Sequence, residues 1–258
     1  MNVLESFSLK GKTALLTGGA GLYGRQLGEA LCEAGAEVYI ASRNLEKLQA
    51  EADRIGATAL RLDLDSDDSI AATVDEIVKR SGKIDILVNN AVSRSACGNW
   101  ADDMEFFDRS LHTNASALFV LTRRVGEVMK KRQSGSIINI GSYMGLLGPN
   151  PVNYTDTDMF SFEKASPIYF YEKGGMSNFT RFAASVLGHW NIRVNCIAPG
   201  GYFNHQPEPF VKQYSANTML GRLANDTDLK GILVFLASDA SAYLTGTVIP
   251  VDGGYTAK

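Results

Sequence analysis

The chain has 258 residues, of which 45% are hydrophobic and 21% are charged, a balance typical of a globular protein with a sizeable core. A formal net charge of −3 offers no basic surface for nucleic acid or for an anionic membrane. No apolar run reaches the ~18 residues of a membrane span, and the N-terminal stretch lacks the pattern of a signal peptide. We therefore expect a cytoplasmic protein without nucleic-acid or membrane partners.

Cysteine and histidine usage argues against a disulfide framework and against a metal site. The three cysteines are an odd number and are scattered along the chain, which fits a reducing compartment. The three histidines share no spacing typical of metal ligands, so we predict no metal. These residues are Cys32, Cys97 and Cys196, and His112, His189 and His205.

The first predicted strand–helix unit contains a glycine-rich turn. Residues 13–16 are a short apolar run, typical of a strand that is buried on both faces. Gly18, Gly19, Gly21 and Gly24 follow, and then apolar residues recur on one helical face. Such a turn lets backbone approach a phosphate and directs free helix N–H groups at it. A tight turn of any α/β protein is the alternative, but the position in the first unit favours a dinucleotide site.

The rest of the chain alternates between predicted strands and helices. Further strands are predicted at 36–41, 58–62, 84–88, 136–140, 192–197 and 247–251. Helices are predicted after Asn44, after Asp65 or Ser66, over about 102–132 in two pieces, over 168–187, and twice before the last strand. This alternation predicts an α/β fold: a Rossmann-type doubly wound parallel sheet of about seven strands with helices on both faces. Because no linker interrupts the composition, we expect a single domain over 1–258.

Polar residues that follow the strand ends are the candidates for a site, because ligands of such sheets bind at the carboxyl ends of the strands. The glycine turn continues the first strand, and Asn89-Asn90-Ala91 follows the fourth. Ser142 follows the fifth strand, and Pro199-Gly200 ends the sixth. Tyr169 and Lys173 lie four positions apart on a predicted helix, which stacks their side chains on one face.

In order and spacing, these motifs resemble the short-chain dehydrogenase/reductase family over nearly the whole chain. The resemblance implies an NAD(P)-dependent oxidoreductase with four catalytic residues: Asn114, Ser142, Tyr169 and Lys173. It also implies a set of cofactor contacts: Thr17, Gly18, Gly21, Leu22, Tyr23, Gly24, Asp63, Leu64, Asn90, Tyr169, Lys173, Pro199 and Gly200.

Tyr169 and Lys173 are the pair that carries the predicted chemistry. A free tyrosine has a pKa of ~10 and is a poor acid or base near neutral pH, but a nearby ammonium favours its phenolate form. The pair therefore predicts that Tyr169 is a general acid or base. The resemblance implies that Lys173 also holds the nicotinamide ribose, that Ser142 positions the substrate oxygen and that Asn114 anchors a water in a proton relay.

Each of these residues also has a structural alternative. Tyr169 and Lys173 could belong to a solvated helix face. Asn114 could mark a helix break, and Ser142 could be a polar strand end. Asn90 could satisfy backbone groups between strands. Asp63 could cap the following helix instead of contacting adenine.

The end of the second strand decides between the two nicotinamide cofactors. An acidic residue there would bind the ribose hydroxyls and repel a 2′-phosphate. Ser42 and Arg43 stand there instead, and a hydroxyl beside a guanidinium suits a phosphate. We therefore predict that NADP(H) is favoured over NAD(H). The alternative is that Arg43 is solvated and Ser42 is merely permissive. Arg25 either assists or lies on the surface.

Three features depart from the family pattern. Leu22 replaces the middle glycine of the cofactor turn, so the turn must be rearranged. Ser142 and Tyr169 are 27 positions apart, about twice the usual separation. Asn204 stands where the family often has a threonine that holds the nicotinamide carboxamide.

The extra residues, at about 148–166, form an insertion between two catalytic residues. We expect it to overhang the site as a pocket for a polar, hydroxylated substrate, or else to be a surface loop or subunit contact. Its polar and aromatic residues include Asn150, Asn153, Tyr154, Asp156, Asp158, Glu163 and Lys164. The resemblance also implies a substrate lid at about 202–220, in which His205 either touches substrate or lies on the surface.

We predict an oxidoreductase that interconverts a secondary alcohol and a ketone, with a small-molecule substrate such as a keto-sugar, sugar acid or polyol. The alternatives are an NAD-dependent polyol or sugar-acid dehydrogenase, a non-catalytic NADP-binding regulator, and an isomerase or dehydratase that uses nicotinamide transiently. The presence of all four catalytic residue types favours the enzyme. The family resemblance also implies a homotetramer or dimer. The helix face within residues 178–186, which includes the small Ala183 and Ala184, would permit close packing between its subunits.

Overall fold

The computed structural model describes residues 2–93, 100–101, 103–159, 161 and 166–257. Cys97, Glu163 and Lys164 lie outside the described residues. Across the described residues, no helix combines the length and the apolar character that crossing a membrane requires.

The described residues are organised around one parallel sheet with the spatial order β3-β2-β1-β4-β5-β6-β7. All neighbouring strands in it pair in parallel. Its strands are β1 (Thr13–Thr17), β2 (Glu37–Ser42), β3 (Thr58–Arg61), β4 (Ile86–Asn89), β5 (Gly135–Ile140), β6 (Ile192–Pro199) and β7 (Val248–Val251). The predicted fold class and strand number are confirmed, with strand ends within about two residues of the prediction.

Helices connect the strands and cover both faces of the sheet. They are α1 (Leu22–Glu33), α2 (Leu45–Ile55), α3 (Asp67–Ser81), α4 (Met104–Leu111), α5 (Ala117–Lys130), α6 (Pro167–Leu187), α7 (Glu208–Asn217) and α8 (Lys230–Ala237). A π-helical turn, His112–Ser116, joins α4 to α5, at the place where two helical pieces were expected to meet. One core cluster lies under α1, α2 and α8, and a second lies under α3, α5 and α6.

Local capping explains where α2 and α3 begin. The Asn44 side chain accepts a hydrogen bond from Lys47 N at 2.9 Å, and the Ser66 side chain accepts one from Ser69 N at 3.2 Å. Each bond satisfies one of the free N–H groups of a helix start. Asn44 and Ser66 are therefore confirmed as caps. The cap of α3 is Ser66 and not Asp63, which leaves the Asp63 carboxylate at the strand end.

The strand order reverses between β1 and β4, and this reversal positions the site. The chain leaves β1 towards β2 and β3 on one side, whereas after β4 it continues towards β5, β6 and β7 on the other. Connections leaving in opposite directions open a crevice at the carboxyl ends of these two strands. The glycine turn after β1 and Asn90 after β4 border this crevice.

The expectation that Ala183 and Ala184 pack against a second subunit is wrong. Ala183 and Ala184 on α6 are buried in the core of their own protomer, because they face the sheet in the cluster under α3, α5 and α6. They are therefore not available to a second subunit. The opposite face of α6 exposes Phe182, whose side chain is 61% accessible, and Val186. Phe119 on the neighbouring α5 is exposed as well.

Candidate active site

A cleft of about 920 Å³ lies at the carboxyl ends of the strands. It brings together residues that are far apart in the sequence. The predicted site residues in its wall are Gly18, Gly21, Leu22, Tyr23, Ser42, Arg43, Asp63, Leu64, Asn90, Ser142, Tyr169, Lys173, Pro199 and Gly200. Three other predicted site residues, Thr17, Gly24 and Asn114, are not among the residues that line it.

The glycine turn accommodates Leu22 because the helix begins there. Gly21 is the cap of α1, and Leu22 is the first helical residue, with its side chain half exposed in the cleft wall. Gly18 has a φ of +70°, which favours glycine. A Cβ atom at Gly24 would come within 2.1 Å of the Gly18 carbonyl oxygen. Gly24 therefore has a packing role: without a side chain there, the first turn of α1 can lie directly against the backbone of the glycine turn.

Thr17 and Asn90 tie the glycine turn to the end of β4. The Thr17 hydroxyl accepts hydrogen bonds from the backbone N–H groups of Asn90 and Ala91, both at 3.0 Å. The Asn90 amide donates to the carbonyl oxygens of Thr17 at 3.0 Å and Gly18 at 3.1 Å. The structural role considered for Asn90 is thus present. It holds the shape of the turn, and Asn90 also lines the cleft.

Tyr23 connects the glycine turn to the segment that follows β6. Its hydroxyl donates to the Gly200 carbonyl oxygen at 2.8 Å, and its ring packs edge-on against Tyr202. Burial raises the pKa of Tyr23 well above its ordinary value, so the hydroxyl stays a donor. The turn and the start of the predicted lid are therefore held together across the cleft.

Two cations and a hydroxyl lie together at one end of the cleft. Ser42, Arg43 and Lys47 all line it beside the start of α2. The Arg43 guanidinium lies 3.7 Å from the Asp65 carboxylate, and its side chain is 60% exposed, so it can turn towards a ligand. Lys47 was missed in the sequence, because only the capping geometry of α2 brings it beside the end of β2. Arg25 lies 3.7 Å from Glu51 and is not among the residues lining the cleft.

The predicted catalytic pair lies on the first turns of α6, beside the end of β5. The Lys173 ammonium donates to the Ile140 carbonyl oxygen at 2.9 Å and lies 5.8 Å from the centre of the Tyr169 ring. Ser142 follows β5, and its hydroxyl accepts from Met144 N at 3.1 Å, which fixes the turn after the strand. Tyr169, Lys173 and Ser142 line one cleft, and Lys173 is buried, so a solvated helix face does not describe this pair.

Asn114 lies behind the cleft wall, in the π-helical turn. Its amide oxygen accepts from Ser93 N at 2.8 Å, and its nitrogen donates to Ser93 O at 3.0 Å. The same nitrogen lies 3.2 Å and 3.3 Å from the two carboxylate oxygens of Glu172 on α6. Single π-helical turns occur often at functional sites. Glu172 was missed in the sequence, where it reads as one more helix residue.

The insertion reaches the cleft through an aromatic and a sulfur side chain. Tyr154 and Met159 line the same cleft as Tyr169. The polar Asn153 is buried and serves a structural purpose: its amide nitrogen donates to the Tyr255 hydroxyl at 2.7 Å, and its oxygen accepts from Asn217 at 3.0 Å. The polar wall expected of this segment is therefore only partly present in the described residues.

The insertion and the predicted lid are fastened to each other. Tyr154 packs against Phe210 of α7, with ring centres 5.4 Å apart. The Gln213 amide of α7 donates to the Thr155 carbonyl oxygen at 2.9 Å. Asn204 lines the cleft, whereas His205 is exposed and is not among its lining residues.

Comparisons with known proteins agree with this geometry. Residues 21–256 match the model of a protein family described as enoyl-(acyl carrier protein) reductase. A 3-oxoacyl-[acyl-carrier-protein] reductase of Pseudomonas aeruginosa is 34% identical over 257 residues, which cover 96% of this chain and 98% of that protein. The crystal structure of a short-chain type dehydrogenase/reductase from Mycobacterium marinum matches with a TM-score of 0.86 and 31% identity, covering 100% of both chains. The chain belongs to the short-chain dehydrogenase/reductase family.

Membership of the short-chain dehydrogenase/reductase family makes this chain an NAD(P)-dependent oxidoreductase. The crystal structure of a gluconate 5-dehydrogenase from Burkholderia cenocepacia, in complex with NADP and tartrate, matches with a TM-score of 0.86 and 28% identity, covering 100% of both chains. The cleft of this family member fits a dinucleotide. It offers a close-approach glycine turn at a helix N-terminus, cations at one end, and Tyr169 with Lys173 elsewhere in the same wall.

Proposed function

We propose that this protein is an NADP(H)-dependent oxidoreductase that interconverts a secondary alcohol and a ketone. One observation carries the proposal: Ser142, Tyr169 and Lys173 line the same cleft as the glycine turn and the Ser42-Arg43 pair. Acid–base groups and a dinucleotide cradle in one cleft suit hydride transfer coupled to proton transfer.

Each catalytic side chain has a role that its position supports. In the reductive direction the Tyr169 hydroxyl donates its proton to the carbonyl oxygen of the substrate, while the Ser142 hydroxyl donates a hydrogen bond to that oxygen. The Lys173 ammonium, beside the Tyr169 ring, stabilises the phenolate that remains. Asn114, which lies behind the cleft wall, would anchor a water through which Tyr169 regains its proton from solvent. NADP(H) would supply the hydride.

The preference for NADP(H) rests on the end of β2. Ser42, Arg43 and Lys47 offer a hydroxyl and two cations, and no carboxylate occupies the position of Ser42. Charge-assisted hydrogen bonds from such groups favour a 2′-phosphate. Arg43 is 60% exposed, as the alternative of a solvated side chain requires, but Lys47 adds a second cation at the same end of the cleft, which supports a phosphate ligand.

For the substrate, we propose a small hydroxylated ketone or its alcohol, such as a keto-sugar, sugar acid or polyol. Tyr154, Met159 and Phe210 line the cleft with apolar surface for a carbon skeleton, and the Asn204 amide can bind either the nicotinamide carboxamide, as expected from its position, or a substrate hydroxyl group. The tartrate and the gluconate named for the Burkholderia cenocepacia structure are small hydroxylated acids, which supports the same class.

The proposal is tested by following NADPH absorbance at 340 nm with a panel of carbonyl compounds. The panel contains 5-keto-gluconate, fructose, 3-quinuclidinone and a β-ketoacyl thioester. We expect consumption of NADPH in the presence of at least one hydroxylated ketone and faster turnover than with the thioester. Tight NADPH binding without net consumption across the panel would instead favour a regulator, an isomerase or a dehydratase.

We also propose that the protein is cytoplasmic and forms a homotetramer or a dimer. The exposed apolar side chains of Phe119, Phe182 and Val186 on the outer faces of α5 and α6 support association. Light scattering should therefore give a mass of at least twice the 27.9 kDa of one chain. A particle of monomer mass would contradict this part of the proposal.

A further inference from the structure

Glu172 is a buried carboxylate on the catalytic helix, one residue before Lys173. Its side chain is only 6% exposed. The Ser110 hydroxyl donates to its Oε1 atom at 2.7 Å, and the Asn114 amide nitrogen lies 3.3 Å and 3.2 Å from Oε1 and Oε2. Each of these contacts points a donor at a carboxylate oxygen, which is what an ionised carboxylate accepts.

The other side of Asn114 is equally engaged. Its amide oxygen accepts from Ser93 N at 2.8 Å, and its nitrogen donates to Ser93 O at 3.0 Å. Ser93 belongs to the segment that follows β4 and lines the cleft. Asn114 thus connects that segment to Glu172 through hydrogen bonds, and Glu172 in turn anchors Asn114 to α6.

A buried carboxylate is a costly way to pack a helix. Burial raises the pKa of the Glu172 carboxyl, whereas the hydrogen bonds from Ser110 and Asn114 and the charge of Lys173 act in the opposite direction. An apolar side chain would fill the same space without this desolvation cost. A carboxylate at this position is explained if its hydrogen bonds to Ser110 and Asn114 are required to hold the site in place.

We propose that Glu172 is a positioning residue, which fixes Asn114 and the segment after β4 against the catalytic helix. It acts through Asn114 and does not touch the substrate. The inference rests on the proposed function, because the proposed function assigns Asn114 a role in catalysis behind the Tyr169–Lys173 pair.

Two substitutions of Glu172 distinguish the effect of its hydrogen bonds from the effect of its negative charge. In Glu172→Gln, the amide oxygen can still accept from Asn114, and the amide nitrogen can donate to the Ser110 hydroxyl, which can turn to accept. Glu172→Ala leaves both Ser110 and Asn114 without this partner. We expect Glu172→Gln to keep kcat within about threefold of the wild type. We expect Glu172→Ala to lose about 10- to 100-fold in kcat, with KM changed by less than about threefold, because a small displacement of the catalytic groups slows the reaction.

A double-mutant cycle tests whether Glu172 acts through Asn114. The double variant Glu172→Ala/Asn114→Ala should be no slower than Asn114→Ala alone, because the link is already broken. The substrate is the panel compound that the wild type reduces fastest. The proposal would be overturned if the losses of kcat in the two single variants added up in the double variant. It would also be overturned if Glu172→Ala kept the wild-type kcat, or if Glu172→Gln were as slow as Glu172→Ala.

A measurement without substrate keeps this test separate from the proposed function. Hydrogen exchange of peptides covering 110–117 should accelerate about tenfold in Glu172→Ala and stay near the wild type in Glu172→Gln. If the panel shows no turnover, the proposed function fails, while the exchange result still decides the positioning role. Unchanged exchange in Glu172→Ala would refute it.

Glu51 provides a matched control. It is a carboxylate on α2 with 7% exposure, and it pairs with Arg54 at 2.7 Å, away from the cleft wall. Glu51→Ala should lower the melting temperature while leaving kcat and the exchange of 110–117 unchanged. A loss of kcat in this variant equal to that of Glu172→Ala would show that the effect is general destabilisation.

Discussion

Tyr169→Phe should reduce kcat by at least about a hundredfold, because general acid–base catalysis contributes about 10²–10⁴ in rate. The substitution removes one hydroxyl and keeps the ring, which packs against Phe170 and lies beside the Lys173 ammonium. The cleft should therefore keep its shape, and the affinity for NADPH should stay within about threefold of the wild type. Steady-state rates at 340 nm and a fluorescence titration with NADPH measure the two quantities.

Tyr171→Phe is the control for this substitution. Tyr171 lies two residues further along α6, is 63% exposed and packs against Phe107 outside the cleft wall. Removing its hydroxyl should leave kcat unchanged. The assigned role of Tyr169 would be wrong if Tyr169→Phe kept more than a tenth of the wild-type kcat, or if both variants lost the same activity.

Gly24→Ala should weaken NADPH binding by at least about tenfold. The added Cβ would come within 2.1 Å of the Gly18 carbonyl oxygen and within 2.9 Å of two Gly19 backbone atoms. Because these neighbours are backbone atoms, the turn must open, and the N–H groups of α1 lose their aim at the pyrophosphate. Overpacking of this kind also costs about 1–3 kcal/mol of stability. Thermal melts and binding titrations well below the melting temperature separate the two effects.

Gly231→Ala is the matched control. Gly231 lies in α8, and outside its own helix backbone and chain neighbours no heavy atom of the described residues lies within 4 Å of a Cβ built there. The alanine should stabilise the helix by up to about 1 kcal/mol and leave NADPH affinity unchanged. Equal NADPH affinity in Gly24→Ala and the wild type would show that the turn does not hold the cofactor in the way described.

Features that depend on neighbouring residues could be predicted from the sequence. The helix caps Asn44 and Ser66 act over three residues, and the alternation of strands and helices determines a parallel sheet. Ser142 and Asn90 each follow a predicted strand, and the carboxyl ends of parallel strands meet at one edge of the sheet. Their common location at that edge could therefore be predicted. The family resemblance, which these positions carry, is confirmed.

Features that depend on contacts between distant segments could not be predicted. Ser110 and Glu172 are 62 positions apart, and Tyr23 and Gly200 are 177 positions apart. Nothing in the local sequence distinguishes Glu172 from a solvated helix residue. Ala183 and Ala184 led to a wrong expectation for a related reason: small residues suit both a protein core and a subunit interface, and only the packing of α6 on the sheet decides between them.

The preference for NADP(H) is tested most directly by titrating the purified protein with NADPH and with NADH, beside the variants Ser42→Asp and Arg43→Ala. We expect the wild type to bind NADPH about 10- to 100-fold more tightly than NADH, since hydrogen bonds to a charged phosphate contribute about 1.5–3 kcal/mol. Arg43→Ala should remove most of this difference, and Ser42→Asp should reverse it by repelling the 2′-phosphate. Equal or tighter binding of NADH by the wild type would contradict the assignment of Ser42, Arg43 and Lys47 as a phosphate site, and would favour an NAD-dependent dehydrogenase of polyols or sugar acids.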